Sequence, residues 1–125
     1  MEFKTKQSIY LQIADQICDD ILREDLEQGG RMQSVREKAA GIQVNPNTVM
    51  RSYAYLQDKG IIYNKRGIGY FIADDALQNI KDMKKDDFIK NKLPEFFNMM
   101  KLLGISFSEL EKIYKENYNG NSQHS

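Results

Sequence analysis

Three stop signals cut the first half of the chain into segments: Gln28-Gly29-Gly30, Gly41 and Gly60. Glycine ends helices because it loses the most backbone freedom on ordering and alone enters the left-handed region cheaply. Between these stops the apolar residues recur at spacings of three and four, the period of a helix with one buried stripe. From Ile9 to Leu26 they are Ile9, Ile13, Ile17 and Ile21, with Ala14, Cys18 and Leu22 beside them, so a long first helix is predicted. Ser34 precedes Glu37 at the spacing of a capping box and opens a short second helix over about 35–41, which Gly41 should end. Asn45-Pro46 starts a third, because Asn caps free amides and Pro fits the first helical position. Val49, Tyr53 and Leu56 form its buried stripe, and it should run to about Lys59.

Ile61-Ile62-Tyr63 and Tyr70-Phe71-Ile72 are β-rich runs joined by NKRGIG, whose glycines suit a tight hairpin. Helix, helix, turn, helix, hairpin is the order of a winged helix-turn-helix, with the turn at the Val44–Asn45 junction. The fold expected is mainly α with a small β-hairpin: a winged helix-turn-helix over about 5–74 and a helical tail over about 75–118. In the tail, Leu77, Ile80, Ile89, Leu93, Phe96, Met100 and Leu103 make a helical stripe, with Phe97, Met99 and Leu102 as further apolar surface. Pro94 should kink or restart the helix near Leu93, and Gly104 should close it. Ser106 and Glu109 form another capping box, leading a last helix to about Asn117 with Leu110, Ile113 and Tyr114 buried. Residues 119–125 are expected to be disordered.

A chain of 125 residues holds about one domain plus an appendage, and 41% hydrophobic with 29% charged residues is a soluble globular mix. No apolar run approaches the roughly 20 residues that span a bilayer, and the N-terminus lacks a signal-peptide layout, so a cytoplasmic location is expected. The single Cys18 excludes an internal disulfide, and the only histidine, His124, sits in a polar end. No metal set, cofactor site or nucleophile and base pair can be assembled from these residues, so no enzyme is expected. Lys plus Arg and Asp plus Glu both total 18, yet residues 31–73 carry seven basic side chains against only Glu37 and Asp58. That local excess fits an electrostatic footprint for phosphates, although taken alone it reads more readily as an ordinary mixed surface.

Many ordered positions resemble the GntR family of bacterial transcription regulators. SIYLQIADQICDDI is similar to the family's opening helix, RMQSVREKAAGIQVNPNTVMRSYAYLQDKGII to its helix-turn-helix, and YNKRGIGYFIA to its wing. About 50 residues follow, too few for the large effector domain of most members, and this two-helix tail resembles the short YtrA-type subfamily. The resemblance implies a homodimeric regulator of double-stranded DNA, usually a repressor, with the tail used for dimerisation over about 75–118. It places a DNA-contacting arginine at Arg36; helix position and side-chain chemistry add Ser34, Asn45, Asn47, Thr48, Met50 and Arg51, and the wing adds Lys65, Arg66, Gly67 and Gly69, as expected DNA contacts. The dimer interface would take Leu93, Phe96, Phe97, Met100, Leu103 and Ile113. No effector is identified by these residues.

The side-chain chemistry can be weighed position by position. Arg36 offers a guanidinium fork for guanine O6 and N7 or for a phosphate; the plain alternative is a surface ion pair with Glu37 or a neighbour, worth little. Asn45, Asn47, Thr48 and Arg51 occupy the first turns of the third helix, whose N-terminal amides could serve a phosphate. Many family members have arginines where this chain has Pro46 and Met50. Met50 suits a thymine methyl group and Asn47 an adenine, so the operator should be less guanine-directed than that of typical relatives. Lys65 and Arg66 flank the wing tip, and Gly67 and Gly69 allow close approach of backbone to DNA. Cys18 reads as packing more than as a redox sensor. Phe96, Phe97, Met99 and Met100 read as core or interface more than as a ligand pocket. Asp82, Asp86 and Asp87 look like a solvated face. A rival reading is a winged-helix protein-interaction module without DNA binding, which a steep salt dependence of DNA binding would exclude.

Overall fold

The computed structural model describes residues 7–24 and 26–118. Thr5 and Lys6, at the start of the expected winged-helix domain, and the expected disordered segment 119–125 lie outside the described residues. The elements are α1 (Ile9–Leu22), α2 (Val35–Ile42), α3 (Pro46–Asp58), β1 (Ile62–Lys65), β2 (Gly69–Ile72), α4 (Ala76–Asp87), a π-helical turn (Phe88–Lys92), α5 (Leu93–Leu103) and α6 (Phe107–Asn117). Packing divides the chain into two units, Met1–Lys84 and Lys85–Ser125, the division falling within α4.

In the first unit, α1 lays Ile13, Ala14, Ile17, Cys18 and Ile21 against Val49, Tyr53 and Leu56 of α3. Met32, Ala39, Ile61, Ile62, Ile72, Ala76 and Ile80 complete this core. Each fully buried aliphatic side chain contributes about 1.5–3 kcal/mol relative to exposure, which is why the three-four spacing decides the helices. Ile9, the first member of the predicted stripe, is 57% exposed and stands outside it. Helix α1 also ends earlier than its periodicity suggests. Glu24 takes a left-handed φ of 65°, Arg23 N–H donates to Asp19 O, and Leu26 folds back to donate to Asp20 O while packing on the core. The glycine pair at 29–30 thus follows a helix that has already closed.

Helix α2 has the predicted capping box in both directions: Ser34 Oγ accepts from Glu37 N, and Glu37 Oε1 accepts from Ser34 N. Gly41 does not end it. The helix runs through Gly41 to Ile42, and Gln43 takes the left-handed cap at φ 58°, with Val44 N–H returning to Ala39 O. The stop signal is therefore displaced by two residues, because the turn needs its reversal where Val44 can re-enter the core. Asn45 Oδ1 then accepts from Asn47 N at 2.7 Å and Pro46 begins α3. At the far end of α3, Gly60 has φ 76°, and Asn79 Nδ2 donates to its carbonyl.

The hairpin pairs Ile62 with Ile72, Tyr63 with Phe71, Asn64 with Tyr70 and Lys65 with Gly69. Residues 66–68 make the tip, where Ile68 N–H donates to Lys65 O and Gly67 supplies the positive φ that a type II turn requires at its third position. A third edge, not evident from the sequence, runs beside β2: Gly29 N donates to Ile72 O, Ile72 N to Gly30 O, and Met32 N to Tyr70 O, with Arg31 across from Phe71.

In the second unit, Pro94 has no N–H and its ring crowds the preceding turn. A π turn over Phe88–Lys92 comes just ahead of it, and α5 restarts at Leu93 with Pro94 in its first turn, as the sequence suggested. Gly104 closes α5 with φ 72°, and Ser106 Oγ accepts from Glu109 N at the start of α6. Leu110, Ile113 and Tyr114 were expected to be buried. Instead α6 buries no side chain: Ile113 and Tyr114 are exposed and Leu110 is half-buried, so among the described residues their stripe is left uncovered.

Candidate nucleic-acid interface

Tyr53 is the residue that holds the candidate surface together. Its ring is buried in α3, its hydroxyl donates to Gln33 O at 2.8 Å, and Tyr70 of β2 packs edge-on against it with centroids 5.0 Å apart. One side chain thereby ties the loop before α2 and the wing to the third helix. Burial, with Tyr70 and Glu37 nearby, pushes its phenol up from 10.0 to about 12, so it remains a donor throughout the physiological range. Ser52 does the same at the other end, giving its hydroxyl proton to Tyr10 O at 2.7 Å and so fixing the start of α1 on α3.

On this frame the predicted positions fall in three places. Ser34 and Arg36 begin α2, both exposed. Glu37 is engaged with Ser34, and among the described residues Arg36 forms no ion pair, so the alternative pairing with Glu37 is absent from the structure. Among the described residues the amides of Val35 and Arg36 also have no acceptor ahead of them, whereas Glu37 N and Lys38 N are taken by Ser34. The N-terminus of α3 is different from the expectation of free amides. Pro46 has no N–H, Asn47 N donates to Asn45 Oδ1, and Thr48 N and Val49 N donate to Asn45 O. Open amides of the helix-turn-helix therefore lie on α2 and not on α3.

Asn47, Met50 and Arg51 are exposed on α3, with Thr48 half-buried and Asn45 committed by its oxygen to the cap. The Arg51 guanidinium stacks over the Tyr10 ring at 4.1 Å, which orders it without neutralising it. In the wing, Lys65, Arg66 and Gly67 are exposed. Open space surrounds Gly67, but the volume a side chain would fill at Gly69 is taken by the Arg31 guanidinium, whose Nε would stand 3.2 Å from a Cβ there. Sequence reasoning counted Arg31 only as part of a basic segment, since a strand edge this short carries no alternation to read.

The residues expected at a dimer interface sit in the second unit. Phe96, Phe97, Leu103 and Ile113 are exposed, Leu93 is half-buried, and Met100 is buried at 9% exposure. Cys18 is fully buried in the first unit, and burial raises its thiol from 9.0 to about 11, with Lys84 opposing and Asp15 and Asp19 reinforcing the rise. A neutral, enclosed thiol is packing material.

A helix-turn-helix whose second helix exposes Asn47, Met50 and Arg51, with an exposed arginine at the head of the first and a cationic hairpin beside them, defines a winged-helix DNA-binding protein. The family's sequence profile matches residues 9–72, and the chain belongs to the GntR family of bacterial regulatory proteins. It is 41% identical over 109 residues to YhcF, an HTH-type transcriptional regulator of Bacillus subtilis, covering 87% of this chain and 88% of that one. It is 32% identical to the HTH-type transcriptional repressor YtrA of the same organism, over 90% of this chain and 86% of YtrA. A GntR-family transcriptional regulator from Bacteroides thetaiotaomicron has a solved structure that matches with a TM-score of 0.76 at 53% identity, covering 87% of this chain and 95% of the other. The chain is thus a transcriptional regulator with a DNA-binding winged helix and not an enzyme.

Proposed function

We propose that the protein is a homodimeric repressor that occupies an inverted-repeat operator, with Arg36, Asn47, Met50 and Arg51 in the major groove and the Lys65–Gly69 tip against the neighbouring backbone. The observation that carries the dimer is the apolar surface of the second unit. Leu102 is 80% and Leu103 66% exposed, and Phe96, Phe97 and Phe107 stand exposed with them, a concentration that a soluble monomer rarely leaves in water. Leu93, Phe96, Phe97, Leu103 and Ile113 are proposed to meet their counterparts across a two-fold axis, with Met100 behind them as support.

A single winged helix reaches few base edges. Two related by a two-fold read two half-sites, so the discrimination at each half multiplies. Arg36 can grip a guanine or a phosphate through two parallel N–H bonds, and Ser34 retains its hydroxyl proton while its oxygen caps α2. Repression is supported by the similarity to YtrA, which bears that name, and its physical basis would be exclusion of polymerase from an occupied promoter. No described helix is long and apolar enough to cross a membrane.

Selection of binding sites from random duplex DNA with the full chain tests this reading. It predicts enrichment of a two-fold symmetric site, each half less guanine-rich than typical relatives select. Enrichment of an unpaired half-site would contradict the dimer, and no enrichment would contradict sequence-specific binding.

A further inference from the structure

The segment Gly29–Met32 lines the edge of β2, with Arg31 directly across from Phe71. Residues paired across a ladder share a face, so Arg31, Phe71 and Tyr63 form one row over the outer side of the wing, and Gly69 with Lys65 forms the next row toward the tip. The Tyr63 and Phe71 rings stack at 5.8 Å, and the Lys65 ammonium leans back over Phe71 at 4.8 Å. Arg31 reaches the other way. Its guanidinium covers Gly69, where a Cβ would come within 3.2 Å of Nε and 3.4 Å of one terminal nitrogen. Gly69 has φ 141°, which strains any side chain placed there, and a Cβ would also have to displace the Arg31 guanidinium by a few tenths of an ångström.

Two cations from opposite strands therefore close on the same Phe71–Gly69 patch, and among the described residues neither has a carboxylate partner. Like charges gathered without an acid repel each other, and the arrangement becomes favourable when an anion is bound between or beside them. We propose that Arg31 is a DNA-contacting residue that grips the phosphate backbone from the outer face of the wing, beside Lys65. This rests on the operator-binding reading above. Arg31 supplies a planar fork that matches phosphate oxygens, while Lys65 supplies a point charge held in place by the aromatic pair. Phosphates carry no sequence information, so Arg31 strengthens binding to every duplex and leaves the preference among duplexes alone.

The test is the salt dependence of binding by the full chain to a selected operator and to a scrambled duplex, for the wild type, Arg31→Gln, Arg31→Lys and Arg36→Ala. Arg31→Gln is expected to bind both duplexes more weakly by the same factor. Its plot of log affinity against log salt should be shallower by about 0.9 per bound protomer, with an unchanged melting temperature, and Arg31→Lys should recover most of the slope. If Arg31→Gln kept the wild-type slope while Arg36→Ala lost affinity, the operator reading would stand and this proposal would be overturned. Equal loss of slope in the Gln and Lys variants would also overturn it, because shape and not charge would then be what matters. Wild-type binding without salt dependence would overturn both.

Discussion

Arg36 projects from the first turn of α2 beside a glutamate whose carboxylate is already bonded to Ser34 N at 2.9 Å. The capping box thus serves two ends: it satisfies the helix terminus and it keeps the adjacent acid from neutralising the arginine. Replacing Arg36 with Ala should cost about 1–3 kcal/mol of operator binding if it reads a base, measured as the loss of preference for operator over scrambled DNA. Lys65→Ala should instead weaken both duplexes alike and flatten the salt slope. Two buried acids set the pH behaviour. Cys18 and Tyr53 have folded-state pKa values of about 11 and about 12 against 9.0 and 10.0 for the free groups, both raised chiefly by burial. A raised pKa means that the folded chain holds its proton longer. Stability from these groups is therefore whole below about pH 9 and falls as pH rises from there toward 12. Chemical denaturation at pH 8 and pH 10.5 should show lower stability at the higher value, and Tyr53→Phe should reduce the difference.

Helix α3 positions the surface through its own buried side chains, Ser52 and Tyr53, which face away from it. Tyr53→Phe keeps the packing against Tyr70 but removes the bond to Gln33 O, which should cost about 1 kcal/mol of stability, read from denaturant unfolding. The same change should loosen the loop that presents Ser34 and Arg36, so DNA affinity should fall although Tyr53 touches no DNA. Periodicity, caps and turn residues made α1, α2, α3 and the hairpin legible in sequence, since each of those signals is local. The details that escaped are the non-local ones. Gln43 rather than Gly41 takes the left-handed cap because Val44 must return to the core, and Glu24 closes α1 because Leu26 is drawn back against it. The strand edge at Gly29–Met32 exists only because β2 offers it hydrogen bonds from forty residues away in the chain, on the order of a long-range contact that no local window contains. The placement of Arg36, Asn47, Met50 and Arg51 on exposed turns could be read from helical spacing; that Arg51 rests on Tyr10 could not.

At the scale of the whole molecule, the proposed dimer rests on the tail. Its apolar stripe was legible, but a stripe alone does not say whether it is covered within the chain, and the exposed Leu102, Leu103, Phe107 and Tyr114 show that in α5 and α6 much of it is not. A Leu103→Glu substitution should place a carboxylate in the proposed interface and shift sedimentation from dimer toward monomer, with operator affinity falling because the second half-site contact is lost. Its winged helix should still unfold cooperatively, since Leu103 lies outside the first unit's core. In the proposed complex a protomer pair binds a particular DNA sequence through the α2, α3 and wing surface. Fluorescence anisotropy with the duplex upstream of the protein's own gene, against a scrambled duplex of equal length at low and physiological salt, tests it most directly. Tight binding of the native duplex with two protomers per site, weaker but still selective at the higher salt, is the expected result. Equal affinity for both duplexes, or none for either, would contradict it.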